Sequence, residues 1–237
     1  MATTTPLTPP ELRLLIVPGL HGSSSDHWQT RLEREHPTAV RVSVADWSHP
    51  DLDTWADAIG QSVSRAIGPA AEAPVSSSSP SPLLRWRRQH DTPARPAVAW
   101  LAVAHSFGCL ALARYLLRGS LGIEAALMVA PANPDRFGIT AGLLDRPLPR
   151  ESTLVFSRND PWMTERDARD LGRRWGSELV DAGLAGHINP ASGHGSFPLA
   201  RTWVAQQQHL LAQRERPALL QPRSPAVPGG TRWQFAV

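Results

Sequence analysis

Ser106 lies in the run Ala104-His105-Ser106-Phe107-Gly108, after an apolar stretch (residues 97–104, AVAWLAVA) and before a segment with helical spacing (residues 107–118). Strand, sharp turn and helix in that order are what a nucleophile elbow requires. Such a turn strains the serine backbone, so the residues two positions away must be small. Ala104 and Gly108 meet that need, with alanine where glycine is usual. The turn lifts the hydroxyl above the sheet, to the start of the next helix. There the Phe107 N–H and the helix dipole face the charge that develops when the hydroxyl attacks a carbonyl. The plain structural alternative is an N-cap serine. It explains neither the paired small residues nor the partners below.

A serine hydroxyl needs a base to take its proton, and the base needs a group to orient it. Asp160, in Ser157-Arg158-Asn159-Asp160-Pro161-Trp162, follows an apolar run at residues 152–157. It suits that orienting role, although aspartate before proline is also a common turn choice. His187 follows the short run at residues 178–182. His194, flanked by Gly193 and Gly195, is the rival base. His187 is favoured because the sheet, not a flexible glycine loop, controls its reach. The order serine, acid, histidine is that of the α/β-hydrolases. His105 adjoins the nucleophile, but consecutive residues at an elbow point apart, so it reads as a pocket wall. Cys109 reads as a small core residue one helical turn past Ser106. The glycine-bearing loop Pro18-Gly19-Leu20-His21-Gly22 makes the Leu20 N–H the candidate second oxyanion donor. No H-E-x-x-H or comparable ligand spacing is present, so neither metal nor cofactor is expected.

These residues need elements to hold them. Apolar runs at residues 12–18, 39–46, 97–104, 124–130, 152–157 and 178–182 alternate with helical patterns at 26–35, 52–67, 107–118, 165–175 and 199–213. About six strands alternating with helices imply an α/β fold with a mostly parallel, doubly wound sheet covered on both faces. In such sheets ligands sit beyond the C-terminal strand ends, where all the candidates fall. The crossover at residues 131–150 is short for a full cap domain, which implies an open pocket. Trp28, Trp47 and Trp162 are candidates for its walls or for the core. Residues 70–96, with a four-serine run, several prolines and Arg85-Trp86-Arg87-Arg88, read as an inserted loop. A single domain over 12–213 with flexible tails at 1–11 and 214–237 is expected.

The formal charge of +3 comes entirely from arginine, for the 237 residues include no lysine. The arginines are dispersed and form no basic stripe, so nucleic-acid binding is not expected. No basic start with an apolar run marks a secretory leader, and no window is long and apolar enough for a membrane span. One cysteine excludes an intramolecular disulfide. A soluble, cytoplasmic monomer acting on small molecules is the default expectation.

Taken together, VPGLHGSSSDHWQ (residues 17–29), the tryptophan-bearing run at 46–55, AHSFGCLA around Ser106, RNDPW around Asp160 and GHIN around His187 resemble one known family. This is the group of small serine hydrolases related to retinoblastoma-binding protein 9, in its bacterial branch. The motifs span most of residues 12–212. The resemblance implies a compact α/β-hydrolase with a Ser106–Asp160–His187 triad, acting on esters or related acyl substrates. It favours His187 over His194. The L-x-C-x-E motif for retinoblastoma binding is absent, since Phe107 stands two positions before Cys109. The competing reading is a hydrolase scaffold whose catalytic use has lapsed and which serves as a binding or regulatory protein.

Overall fold

The computed structural model describes residues 11–67, 98–119 and 122–214. The expected insertion at 70–96 lies outside them. So do the tails, except that Glu11 opens the first strand and Arg214 closes the last helix. The strands are β1 (Glu11–Val17), β2 (Val40–Arg41), β3 (Val98–His105), β4 (Ile123–Val129), β5 (Glu151–Phe156) and β6 (Glu178–Asp181). The helices are α1 (Trp28–Glu35), α2 (Leu52–Ile67), α3 (Phe107–Leu117), α4 (Glu165–Trp175) and α5 (Pro198–Arg214).

All six strands pair in parallel, in the order β2-β1-β3-β4-β5-β6. Parallel strands need a crossover between neighbours, and the helices supply it on both faces. Strand side chains alternate between those faces. Leu15, Val17, Ala102 and Ala104 join a core with Trp55 and Ile59 of α2, Leu110 of α3 and Leu171 of α4. Leu14, Ile16, Leu101 and Val103 join the opposite core with Trp28 and Leu32 of α1 and Trp203 and Val204 of α5. Most tryptophans are structural: Trp28, Trp55, Trp100, Trp175 and Trp203 are buried. The crossover from β4 to β5 holds only two short 3₁₀ turns, Pro134–Phe137 and Ala141–Leu143.

One strand is much shorter than its apolar alternation suggests. The pattern at residues 39–46 predicts a full strand, yet only Val40 and Arg41 pair with β1. The Val42 N–H still reaches Ile16 O at 2.9 Å. Beyond that β1 ends at Val17, and Pro18 has no N–H to extend the ladder.

Strand order reverses between β1 and β3, the point at which open α/β sheets gather their functional residues. Buried Gln29 fastens the strands there. Its Nε2 donates to Val17 O and to Val103 O, each at 3.1 Å, and its Oε1 accepts from the Ser23 hydroxyl at 2.7 Å. Replacing Gln29 by methionine keeps the volume but removes this donor from two buried carbonyls. Gln29→Met should lower the unfolding free energy by about 1–3 kcal/mol in urea titrations; an unchanged midpoint would show that the bridge contributes nothing.

Candidate active site

β3 is buried throughout and ends at His105, and the chain then turns sharply into α3. Ser106 makes that turn with φ 53° and ψ −124°, a conformation that costs a non-glycine residue about 1–3 kcal/mol. The surroundings hold it there. The Ser106 N–H donates to Val129 O at 3.1 Å, and Ser106 O accepts from the Cys109 N–H at 3.0 Å. Two glycines let the backbones close in. A Cβ on Gly108 would lie 2.3 Å from Pro18 O, and one on Gly19 would lie 2.7 Å from Ser106 Cβ. The β1 loop is therefore pressed against the elbow. His21, Ala130 and Ile188 are the other non-glycine residues with positive φ among those described, and all lie in loops at the same edge of the sheet.

His187 Nε2 lies 3.0 Å from Ser106 Oγ, and its Nδ1 lies 2.8 Å from Asp160 Oδ2 and 3.1 Å from Oδ1. A carboxylate only accepts, so Nδ1 carries the hydrogen and Nε2 is left to accept from the serine hydroxyl. The Asp160 side chain is 2% exposed. Its Oδ1 also accepts from the Trp162 N–H at 2.9 Å. The loop bearing His187 is tied to the loop bearing Asp160. Asn159 Oδ1 accepts from the Gly186 N–H at 2.7 Å and the Ser157 hydroxyl at 2.8 Å, while Ser157 Oγ accepts from the Ala185 N–H at 2.9 Å. His194 points elsewhere. Its N–H donates to Asn189 O, and its ring stands edge-on to Phe197 at 6.0 Å.

Two further histidines lie beneath the site. His105 Nε2 donates to His187 O at 2.9 Å. Its ring lies 4.9 Å from that of His187 and 5.0 Å from that of His27. The expectation of a pocket wall is therefore wrong for His105. The turn that lifts Ser106 above the sheet sends the preceding side chain into the layer under α1, where it is buried. Burial holds its pKa well below the ordinary histidine value. His27 caps α1, with Nδ1 accepting from the Gln29 N–H at 3.1 Å. Burial, helped by the Arg41 charge, lowers its pKa to about 4. Cys109 is buried and its thiol pKa is raised by that burial, which leaves it no role as a nucleophile.

Ser106 and His187 open into a cleft of about 280 Å³ lined also by Leu20, Asn133, Phe137 and Trp162. Trp162 is 51% exposed at its mouth. The other two candidate tryptophans are elsewhere: Trp28 Nε1 donates to Ile188 O at 2.8 Å, and Trp47 stacks edge-on against Trp55. Leu20 lies in the turn closed by the Gly22 N–H to Gly19 O at 3.0 Å. Phe107 begins α3, so its N–H has no acceptor within the helix. Among the described residues no cluster of His, Cys, Asp or Glu could hold a metal ion, and no helix is long and apolar enough to cross a membrane.

The sequence matches the serine hydrolase family over residues 14–71 and 86–206. The chain belongs to that family. Its fold is the compact α/β-hydrolase fold. A Pectobacterium atrosepticum protein described as a YdeN-like hydrolase is 31% identical, with a TM-score of 0.68, covering 85% of this chain and 92% of its own. The Bacillus subtilis ydeN product is 17% identical at a TM-score of 0.56, covering 83% and 97%. A thermophilic esterase from Thermogutta terrifontis, in its butyrate-bound form, is 16% identical at 0.51, covering 91% and 88%. At those identities the last two speak for the fold alone. No curated protein matches the sequence.

Sequence reasoning singled out the three residues of the hydrogen-bonded chain but missed the groups that hold them: His27, Gln29, Ser157 and Asn159. His27, Gln29 and Ser157 are buried and Asn159 is exposed, and no local pattern in the sequence sets them apart.

Two outcomes follow from this geometry. Gly108→Ala should cost about 1–3 kcal/mol of stability by overpacking against the Pro18 carbonyl, and calorimetric melting would register it. His27 and His105 are depressed in the fold relative to about 6.5 in the unfolded chain. The unfolded chain therefore binds more protons at acid pH. Their contribution to stability is complete above about pH 6.5 and is lost as pH falls toward about 4. His27→Asn, which keeps a capping acceptor, should flatten part of that slope in urea midpoints taken at several pH values. An unaltered slope would exclude His27 as a contributor.

Proposed function

We propose that this serine hydrolase cleaves carboxylic esters through an acyl-enzyme intermediate, with Ser106 as nucleophile, His187 as general base and acid, and Asp160 as the group that orients His187. The observation that carries this reading is the unbroken hydrogen-bonded chain Asp160–His187–Ser106 ending in a cleft. Ser106 Oγ attacks the ester carbonyl carbon while its proton passes to His187 Nε2. The N–H groups of Phe107 and Leu20 stabilise the oxyanion of the tetrahedral intermediate. The carbon–oxygen bond to the alcohol then breaks as His187 returns the proton to the leaving oxygen. Water repeats the sequence on the acyl-serine and releases the acid.

Asp160 is buried and hydrogen-bonded, so its charge stabilises the imidazolium that forms at each attack without taking the proton. Each oxyanion donor in sites of this kind supplies about 2.7–4 kcal/mol. The modest cleft, its Leu20, Ala132 and Phe137 walls, and the absence of a cap among the described residues of the β4–β5 crossover suit small esters.

Labelling with a fluorophosphonate probe tests the nucleophile: the wild type should label and Ser106→Ala should not. Equal labelling would overturn the reading in favour of a binding protein on a hydrolase scaffold. On a para-nitrophenyl ester, Ser106→Ala and His187→Ala should each reduce kcat by about 10⁶, and the double variant should lose no more than either. His194→Ala should retain turnover; losing it there while His187→Ala keeps it would reverse the assignment of the base.

A further inference from the structure

The cleft beside Ser106 has an electrostatic asymmetry that the acyl-transfer chemistry does not use. Its lining holds one permanent charge, Arg136, and no carboxylate. Arg136 leaves the 3₁₀ turn Pro134–Phe137 and lies over the ring of Trp162, with Cζ 5.5 Å from the ring centroid. Its Nη2 reaches Pro161 O at 3.5 Å. The Trp162 ring in turn lies 6.5 Å from the His187 ring, and Arg136, Trp162 and His187 line one cleft.

The nearby arginines of α4 are committed to carboxylates: Arg169 to Glu165, Arg173 to Asp170 and Arg174 to Asp145. Among the described residues Arg136 has no carboxylate within ion-pair distance. Its sequence neighbour Asp135 faces the adjoining depression, which Asn133 also lines, with Asp145, Asp167 and Asp170. Two amides extend the pattern. Asn133 Oδ1 accepts from the Asp135 N–H at 3.0 Å, and Asn189 Oδ1 accepts from the Ser192 N–H at 3.1 Å. Both residues line the cleft, and in each the oxygen is engaged while the amide NH₂ has no partner among the described residues. The polar lining of the cleft is thus rich in donors and contains a cation held against an aromatic face.

We propose that Arg136 is the specificity determinant of this cleft and that the preferred substrates are small esters carrying a carboxylate. The guanidinium presents two parallel N–H donors to a carboxylate, a geometry that a lysine or an amide does not reproduce. The carboxylate can belong to the acyl group, as in a hemi-ester of a short dicarboxylic acid, or to the leaving alcohol. The proposal rests on the esterase reading above.

The test uses matched pairs. Para-nitrophenyl hemisuccinate against para-nitrophenyl butyrate varies the acyl side, and meta-acetoxybenzoate against phenyl acetate varies the leaving group. In the wild type the carboxylate-bearing member of one pair should have the higher kcat/KM by about tenfold, chiefly through KM. The pair that shows it identifies the side on which the carboxylate sits. Arg136→Gln should bring that ratio close to one, and Arg136→Lys should retain part of it. Ratios near one for the wild type in both pairs would overturn the proposal, as would an equal loss for charged and neutral esters in Arg136→Gln. Calorimetric titration of monomethyl succinate into Ser106→Ala, with and without Arg136→Gln, reads the same contact without turnover. Binding that depends on Arg136 in a protein that no fluorophosphonate labels would sink the esterase reading and leave the carboxylate site standing. Labelling of Ser106 with no such preference and no such binding would do the reverse.

Discussion

The close approach of two backbones at the point of strand-order reversal governs the rest of the site. The loop leaving β1 lies against the elbow leaving β3, and that distance exists only because Gly19 and Gly108 bring no side chain into it. The contact does three things together. It fixes the strained turn at Ser106, it carries Leu20 to the mouth of the cleft, and it seats α3 with its N-terminus beneath the hydroxyl. Gln29 reinforces it from below by bridging Val17 O and Val103 O. Positive φ values at His21 and Ser106, one in each loop, are the local cost of this junction. Burial of large side chains on both faces of the sheet, at about 1.5–3 kcal/mol each, offsets it.

The other half of the site hangs from the same edge of the sheet, farther along the strand order. β5 and β6 deliver Asp160 and His187 on loops, and loops need to be fastened if a hydrogen bond is to keep its geometry. Ser157 and Asn159 do so by satisfying the backbone N–H groups of Ala185 and Gly186. His105 contributes from beneath through the His187 carbonyl, and Trp28 holds Ile188 O in the same way. His187 is thus held through its backbone carbonyl by His105 and through its ring by Asp160. A neutral His105 serves this role well, because its protonation would set a second positive charge against any imidazolium at His187.

The cleft divides by chemistry. Leu20, Ala132 and Phe137 form an apolar wall, while Asn133, Arg136 and Asn189 supply donors. The short β4–β5 crossover contributes to both parts.

Much of this was legible in the sequence. Alternation between short apolar runs and amphipathic segments dictates a parallel sheet covered on both faces, because such strands have no solvent face. Strand ends are readable from the same runs, and ligands gather there, so Ser106, Asp160 and His187 were identifiable as a set. What the sequence could not show was direction and distance. The second strand shortened because its ladder partner ends at a proline, a fact about a neighbour and not about residues 39–46. His105 turned inward, and His194 turned toward Phe197, because side-chain direction at a turn depends on the packing around it. Gly108 reads as the small neighbour an elbow needs and Gly19 as part of a glycine-bearing loop, but only the fold shows that the two loops press on one another through them. The sequence by itself determined the kinds of groups and the edge of the sheet they occupy. Tertiary structure decided which of them touch, since contact between residues separated by some eighty positions is set by the sheet and not by the local chain.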